Sequence, residues 1–150
     1  MEELPPSIEA VLFDDRGCEY LLLLGDIGSV ARSEHHQSFR KWFIRLRRKY
    51  KLVFWIAGNH EFWGGSTPYG IQIMRDFAAD PAMKGRLSVL EKERFDMVQY
   101  GVNVSFLGCT LWMCIRRHQC LGDGQMISGN SKEGHNKRFE ESLAWLKNEV

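Results

Sequence analysis

The sequence predicts an α/β protein, and three observations carry the prediction. Two short apolar runs each close on a glycine, Tyr20 to Leu24 before Gly25 and Leu52 to Ala57 before Gly58, and a stretch of helical spacing lies between them. A short apolar run bounded by turn residues suits a strand buried on both faces. Phe39, Trp42, Phe43, Leu46 and Tyr50 recur at the spacing of one helix face, so Glu34 to Tyr50 reads as an amphipathic helix. Strand, helix and strand in this order make a βαβ unit, for which parallel strands and a right-handed crossover are expected. Both runs end in a glycine followed by polar residues. Ligands gather beyond the carboxyl ends of strands in open α/β sheets. Gly25-Asp26 and Gly58-Asn59-His60 are therefore expected at one sheet edge.

The remaining elements follow in chain order. Residues 1–18 read as irregular, with Pro5-Pro6 and Asp14-Asp15 as turn material. Thr67-Pro68 has the character of a cap and first turn, opening a helix that ends near Asp80-Pro81. Arg86 to Leu90 reads as a short strand. Val102, Val104 and Phe106 alternate with Asn103 and Ser105, the pattern of a half-buried antiparallel strand, and Cys109 to Ile115 is expected to pair beside it. Residues 121–134 form a glycine-rich loop. A last helix is expected from about Asn136, with Phe139, Leu143 and Leu146 on one face. Neither a capping glycine nor a further strand follows it, so the sequence reads as cut at Val150.

Composition narrows the functional classes. A chain of 150 residues suits one domain with a sizeable core. Hydrophobic residues at 44% and charged residues at 26% are ordinary for a folded protein. The formal net charge of +1 gives no electrostatic case for binding nucleic acid or a membrane surface. The opening MEELPPSIEA has acids and prolines where a signal peptide needs a basic and then an apolar stretch. No apolar run approaches the roughly 20 residues of a membrane span. Cys18, Cys109, Cys114 and Cys120 then suit free thiols in a reducing, cytoplasmic setting.

The chemistry resides at the two glycine turns. Asp26 is an acid set at the end of a buried strand, and a carboxylate can bridge two cations. Asn59 offers a neutral carbonyl oxygen to a hard metal ion. His60 offers a proton near neutral pH or a metal-binding nitrogen. Either turn alone is weak evidence, because aspartate and asparagine are common turn residues. GNHE after one buried strand, with GD after the preceding parallel strand, is a much stronger coincidence.

These stretches resemble the calcineurin-like metallophosphoesterase superfamily, and a branch found in fungal genomes in particular. The matching segments are YLLLLGDIG, VFWIAGNHEFW, FLGCTLW and GHNKRFEESLAWLKNEV. The resemblance implies a single domain over residues 1–150 with a partial four-layer α/β-β/α sandwich. It implies a phosphoester substrate, hydrolysed at a centre of two divalent ions (Mn, Fe, Zn or Mg). By resemblance Asp26 bridges the two ions, Asn59 binds one ion and the phosphate, and His60 touches the phosphate and assists the leaving group. The pattern departs at both ends. No Asp-x-His precedes Asp26, the Gly-His-x-His turn is missing, and Ser29 stands where many relatives carry an acid. The domain is therefore expected to be truncated and inactive by itself. The rival expectation is a non-catalytic remnant, inactive or binding only.

Other features carry less. Cys109, Cys114, His118 and Cys120 lack the paired spacing of a zinc knuckle. Arg40, Lys41, Arg45, Arg47, Arg48 and Lys49 read as a solvated helix face. Gly122-Asp123-Gly124 lacks the Gly-Lys-Ser/Thr of a phosphate-binding loop and reads as a plain loop. His35 and His36 are expected to be exposed. His135 and Asn136 match the branch pattern without a metal role.

Overall fold

The computed structural model describes residues 17–120 and 122–150, so the turns expected at Pro5-Pro6 and Asp14-Asp15 lie outside the described residues. The fold is mixed α/β. Strands β1 (Tyr20–Leu24), β2 (Leu52–Ile56) and β3 (Leu87–Val89) form a parallel sheet in the order β1-β2-β3. Tyr20 pairs with Leu52 and Leu24 with Ile56, which brings the carboxyl ends of β1 and β2 to one edge. Helix α1 (His36–Lys49) connects β1 to β2, and α2 (Thr67–Ala79) connects β2 to β3. Two crossovers in the same direction and of the same hand put both helices on one face.

That face is the core. Phe39, Trp42, Phe43 and Leu46 are the buried residues of α1, as the helical spacing requires. Trp55 of β2 sits among Phe43, Phe39 and Phe77, with ring centroids 4.7, 6.1 and 6.4 Å away. Aromatic groups of this size dominate core energetics through buried area and offset ring contacts. The start of α2 is set locally: the Ser66 hydroxyl accepts from the Tyr69 amide and Pro68 occupies the first turn.

The opposite face of β2 carries Phe54, which stacks on Phe106 at 4.4 Å and meets Phe95 edge-on at 5.1 Å. Both partners belong to an antiparallel hairpin of β4 (Glu93–Gln99) and β5 (Val102–Gly108). The partner of β5 is thus β4 and not residues 109–115, which correct the sequence expectation. Four charged or amide side chains obscure β4 as a strand, yet Phe95 and Met97 alternate with Arg94 and Asp96 in period two. Tyr100 and Gly101, both at positive φ (52° and 78°), close the tight turn that such a hairpin needs. Residues 109–115 form no strand because α3 (Lys132–Glu149) holds them with side chains. The Asn136 amide accepts from the Ile115 N–H at 2.8 Å and donates to the Ile115 carbonyl at 3.0 Å. His135 Nε2 donates to the Met113 carbonyl at 2.9 Å, and the Ser142 hydroxyl donates to the Thr110 carbonyl at 3.1 Å.

Strand β1 is a second correction. It is buried on one face only: Leu23 lies in the core, whereas Leu22 and Leu24 are 46% and 72% exposed. The hairpin covers Phe54 on β2 and leaves these two leucines uncovered. His35 and His36 are a third correction, being half-buried. His35 Nδ1 lies 3.1 Å from the Ser29 carbonyl and His36 Nε2 lies 2.7 Å from the Val30 carbonyl, so both rings tie α1 to the loop after β1. Among the described residues no helix is long and apolar enough to cross a membrane.

Phe54 links the parallel sheet to the hairpin through Phe95 and Phe106. Phe54→Ala is expected to cost about 3–5 kcal/mol. Hydrogen exchange should show β4 and β5 amides losing more protection than those of β1 and β2. Equal loss in all four strands would contradict this separation of the two layers.

Candidate active site

The parallel register places the two glycine turns side by side. Gly25 has φ +91°, and a Cβ there would lie 2.5 Å from the Gly58 nitrogen. A Cβ on Gly58 would lie 2.2 Å from Asp26 Oδ1. Neither position has room for a side chain, so glycine at both is what lets the loops approach. Asp26 itself has φ +56°, a left-handed conformation that aspartate tolerates better than most residues. Its Oδ1 accepts the His60 backbone N–H at 3.0 Å. The structure therefore brings Asp26, Asn59 and His60 together, as the sequence pattern predicts.

Glu61 holds this arrangement in place. Its side chain is fully buried, at 0% exposure. Oε2 accepts the N–H groups of Gly58 at 2.7 Å and Asp26 at 2.9 Å, and Oε1 accepts the Ile27 N–H at 2.8 Å. The Glu61 carbonyl also accepts from the Val30 and Ala31 amides at 3.1 and 3.3 Å. Burial pushes the carboxyl above its usual pKa range, and the three backbone N–H groups partly offset that rise. One residue thus fastens the loop after β1 to the loop after β2.

Two further residues adjoin these groups: Trp63, which the sequence did not single out, and Asp123, whose glycine-flanked turn it read as a plain loop. Asp123 accepts from Asn59 Nδ2 on both carboxylate oxygens, at 3.1 and 3.0 Å. It also accepts the Trp63 indole N–H at 3.0 Å. Trp63 in turn lies against His60, with ring centroids 3.7 Å apart and planes inclined by 30°. Gly122-Asp123-Gly124 is a loop as expected, but the tertiary fold carries it across to the Asn59 turn. Trp63 could have been found, because it stands three residues after His60 on a tight turn. Asp123 has no local signal at all.

Asn59, Thr110, Trp112, Met113, Asp123 and His135 line a cleft of about 510 Å³ beside these groups. Burial lowers the pKa of His135, with the Met113 carbonyl opposing the shift. Its Nε2 faces a carbonyl, which only accepts, so that nitrogen carries the proton. Its Nδ1 is buried without a hydrogen-bond partner among the described residues.

Asp26 and Asn59 supply two hard oxygen donors at one edge. No donor reaches Asp26 Oδ2 or Asn59 Oδ1 among the described residues, so both atoms keep their lone pairs. Yet no group of three or more His, Cys, Asp or Glu side chains among the described residues is placed to hold a metal ion. The donors present therefore do not by themselves make up a two-metal centre.

Removing the Glu61 carboxylate strands three backbone donors, each costing about 1–3 kcal/mol when left unpaired and buried. Glu61→Ala is expected to destabilise the chain by at least the lower end of that sum in chemical denaturation. Glu61→Gln keeps the shape but puts an NH₂ group against a backbone N–H, and should fall between the two.

No family model matches the chain. It is 29% identical over 105 residues to the uncharacterized protein L509 of Acanthamoeba polyphaga mimivirus, a match that covers 66% of this chain and 33% of that protein. Its fold is similar to the crystal structure of phosphopantetheinyl hydrolase (PptH) from Mycobacterium tuberculosis. That similarity has a TM-score of 0.61 at 14% identity and covers 87% of this chain and 52% of the other. The chain thus spans about a third of the length of the viral protein and about half of the solved structure.

Proposed function

We propose that this chain carries part of the active site of a metal-dependent phosphoesterase of the calcineurin-like superfamily, which hydrolyses a phosphate mono- or diester. The observation that carries the reading is the junction of the GD and GNHE turns. The carboxylate of Asp26 receives the His60 amide at the carboxyl edge of two parallel strands, with the Asn59 amide on the same turn. The likeness to a solved hydrolase supports the fold and leaves the chemistry to these residues.

In this reading Asp26 and Asn59 are the chain's own oxygen donors to divalent ions, and the remaining donors come from outside the described residues. The chemistry that such ions would supply, if bound, is neutralisation of phosphate charge and activation of water. Asn59 is neutral, so it leaves the site more positive than a further carboxylate would, which favours charge on the equatorial phosphate oxygens. His60 can donate a hydrogen bond to the phosphate or a proton to the leaving oxygen. Its half-exposed ring, backed by Trp63, presents its nitrogens from a fixed pose.

The first test needs no turnover. Substoichiometric Mn²⁺ added to the 150-residue chain should broaden the NMR signals of Asp26 and Asn59 first, and Asp26→Ala or Asn59→Ala should weaken that effect. Broadening confined to other residues would remove the metal reading. The second test concerns activity. With two grouped oxygen donors among the described residues, the chain by itself should hydrolyse an aryl phosphate no faster than its His60→Ala variant, even with manganese present. In a polypeptide that supplies the remaining donors, His60→Ala should lower kcat by about 10²- to 10⁴-fold and spare metal content. Asn59→Ala should lower both. Equal metal loss in the two variants would contradict the separate roles.

A further inference from the structure

We infer that Asp123 is the positioning residue of this site: it fixes the amide of Asn59 with the carbonyl oxygen turned away from itself, and through the Trp63 indole it sets the surface against which His60 stacks. The consequence for hydrolysis rests on the phosphoesterase reading; the positioning itself does not.

The Asn59 part follows from hydrogen-bond polarity. An amide has one end that donates and one that accepts, and the two are nearly the same shape. Here the nitrogen end lies 3.1 and 3.0 Å from the two oxygens of a carboxylate, which only accepts. Turning the amide over would set its carbonyl oxygen against those negative oxygens, an arrangement with no hydrogen bond and strong repulsion. Asp123 therefore decides which end of Asn59 is held against it, the nitrogen, and leaves the oxygen turned away. A lone asparagine on a turn has no such preference.

The His60 part follows from the aromatic contact. A ring centroid separation of 3.7 Å at 30° is close stacking over the face of the indole. The pose of His60 then depends on the pose of Trp63. Trp63 is held at both ends: the Ser29 hydroxyl donates to its backbone carbonyl, and the Asp123 carboxylate accepts from its indole N–H at 3.0 Å. The carboxylate that governs the histidine comes from a loop far along the sequence and acts through an aromatic ring. Charge-assisted bonds of this kind are roughly twice as strong as neutral ones, so a single carboxylate suffices to fix both partners.

The test is an NMR comparison of the wild-type chain with Asp123→Ala and Asp123→Asn, and with Asp76→Ala, an exposed α2 residue, as the control. Three signals report on it: the indole proton of Trp63, the side-chain amide protons of Asn59, and the His60 ring proton displaced upfield by the stacked indole. In Asp123→Ala all three should change together. The indole proton should lose its hydrogen-bond shift, the Asn59 protons should exchange with water, and the His60 signal should lose its upfield displacement. Backbone amides of β1 and β2 should stay in place. Asp123→Asn, which keeps the shape and one acceptor, should show a smaller change in the same three signals. The control should show none. If the His60 proton keeps its upfield position in Asp123→Ala, or if the Asn59 protons stay protected, Asp123 does not position them and the inference fails. No metal or substrate enters the experiment, so its failure and a failure of the hydrolytic reading are told apart.

Discussion

A buried carboxylate that accepts three backbone N–H groups from two different loops is the constraint on which the rest of this site depends. Glu61 carries no exposed surface, and its two oxygens hold Gly58, Asp26 and Ile27. Burying a carboxyl group costs free energy unless hydrogen bonds replace the lost water, and here the backbone itself supplies them. The arrangement is reciprocal. The turns satisfy the glutamate, and the glutamate fixes the distance between the turns. Without it, the two glycine-led loops would keep the His60 N–H bond to Asp26 and the backbone bonds to the Glu61 carbonyl but lose the three bonds that fix Gly58, Asp26 and Ile27.

The unusual backbone at the edge is a consequence of that fastening. Asp26 in the left-handed region is unfavourable alone, on the order of 1–3 kcal/mol for a strained residue. It persists because the surrounding structure leaves no alternative. His35 and His36, at the start of α1, and the Glu61 carbonyl hold the Ser29–Ala31 stretch from two further sides. The strained residue is itself the acid of the edge, and it lies beside the turn that carries Asn59 and His60.

Around this edge the molecule is layered unequally. One face of the parallel sheet meets two helices through a dense aromatic core. The other meets a two-stranded hairpin that covers Phe54 and leaves Leu22 and Leu24 bare. The segment after the hairpin follows α3 through side-chain hydrogen bonds from His135, Asn136 and Ser142. That gives His135 and Asn136 a role in folding: they set the wall of the cleft, and the loop carrying Asp123 closes over its rim.

Local sequence determined the βαβ core, because apolar runs, helical spacing and glycine punctuation act between near neighbours. Tyr20–Leu24, the α1 face from Phe39 to Leu46, and the meeting of Asp26 with Asn59 and His60 were all legible that way. Parallel pairing converts two similar strand ends into one shared edge. Tertiary structure decided what depends on distant partners. The charged face of β4 hid a strand whose other face meets Phe54, and the exposure of β1 reflects how far the hairpin reaches. Side chains on α3 took residues 109–115 away from any sheet. Asp123 joined Asn59 and Trp63 because the chain folds back, and no spacing or periodicity encodes a contact between residues 60 or more positions apart. Local pattern set Asp26, Asn59 and His60 at the edge; the fold brought Asp123 to them and decided what holds each.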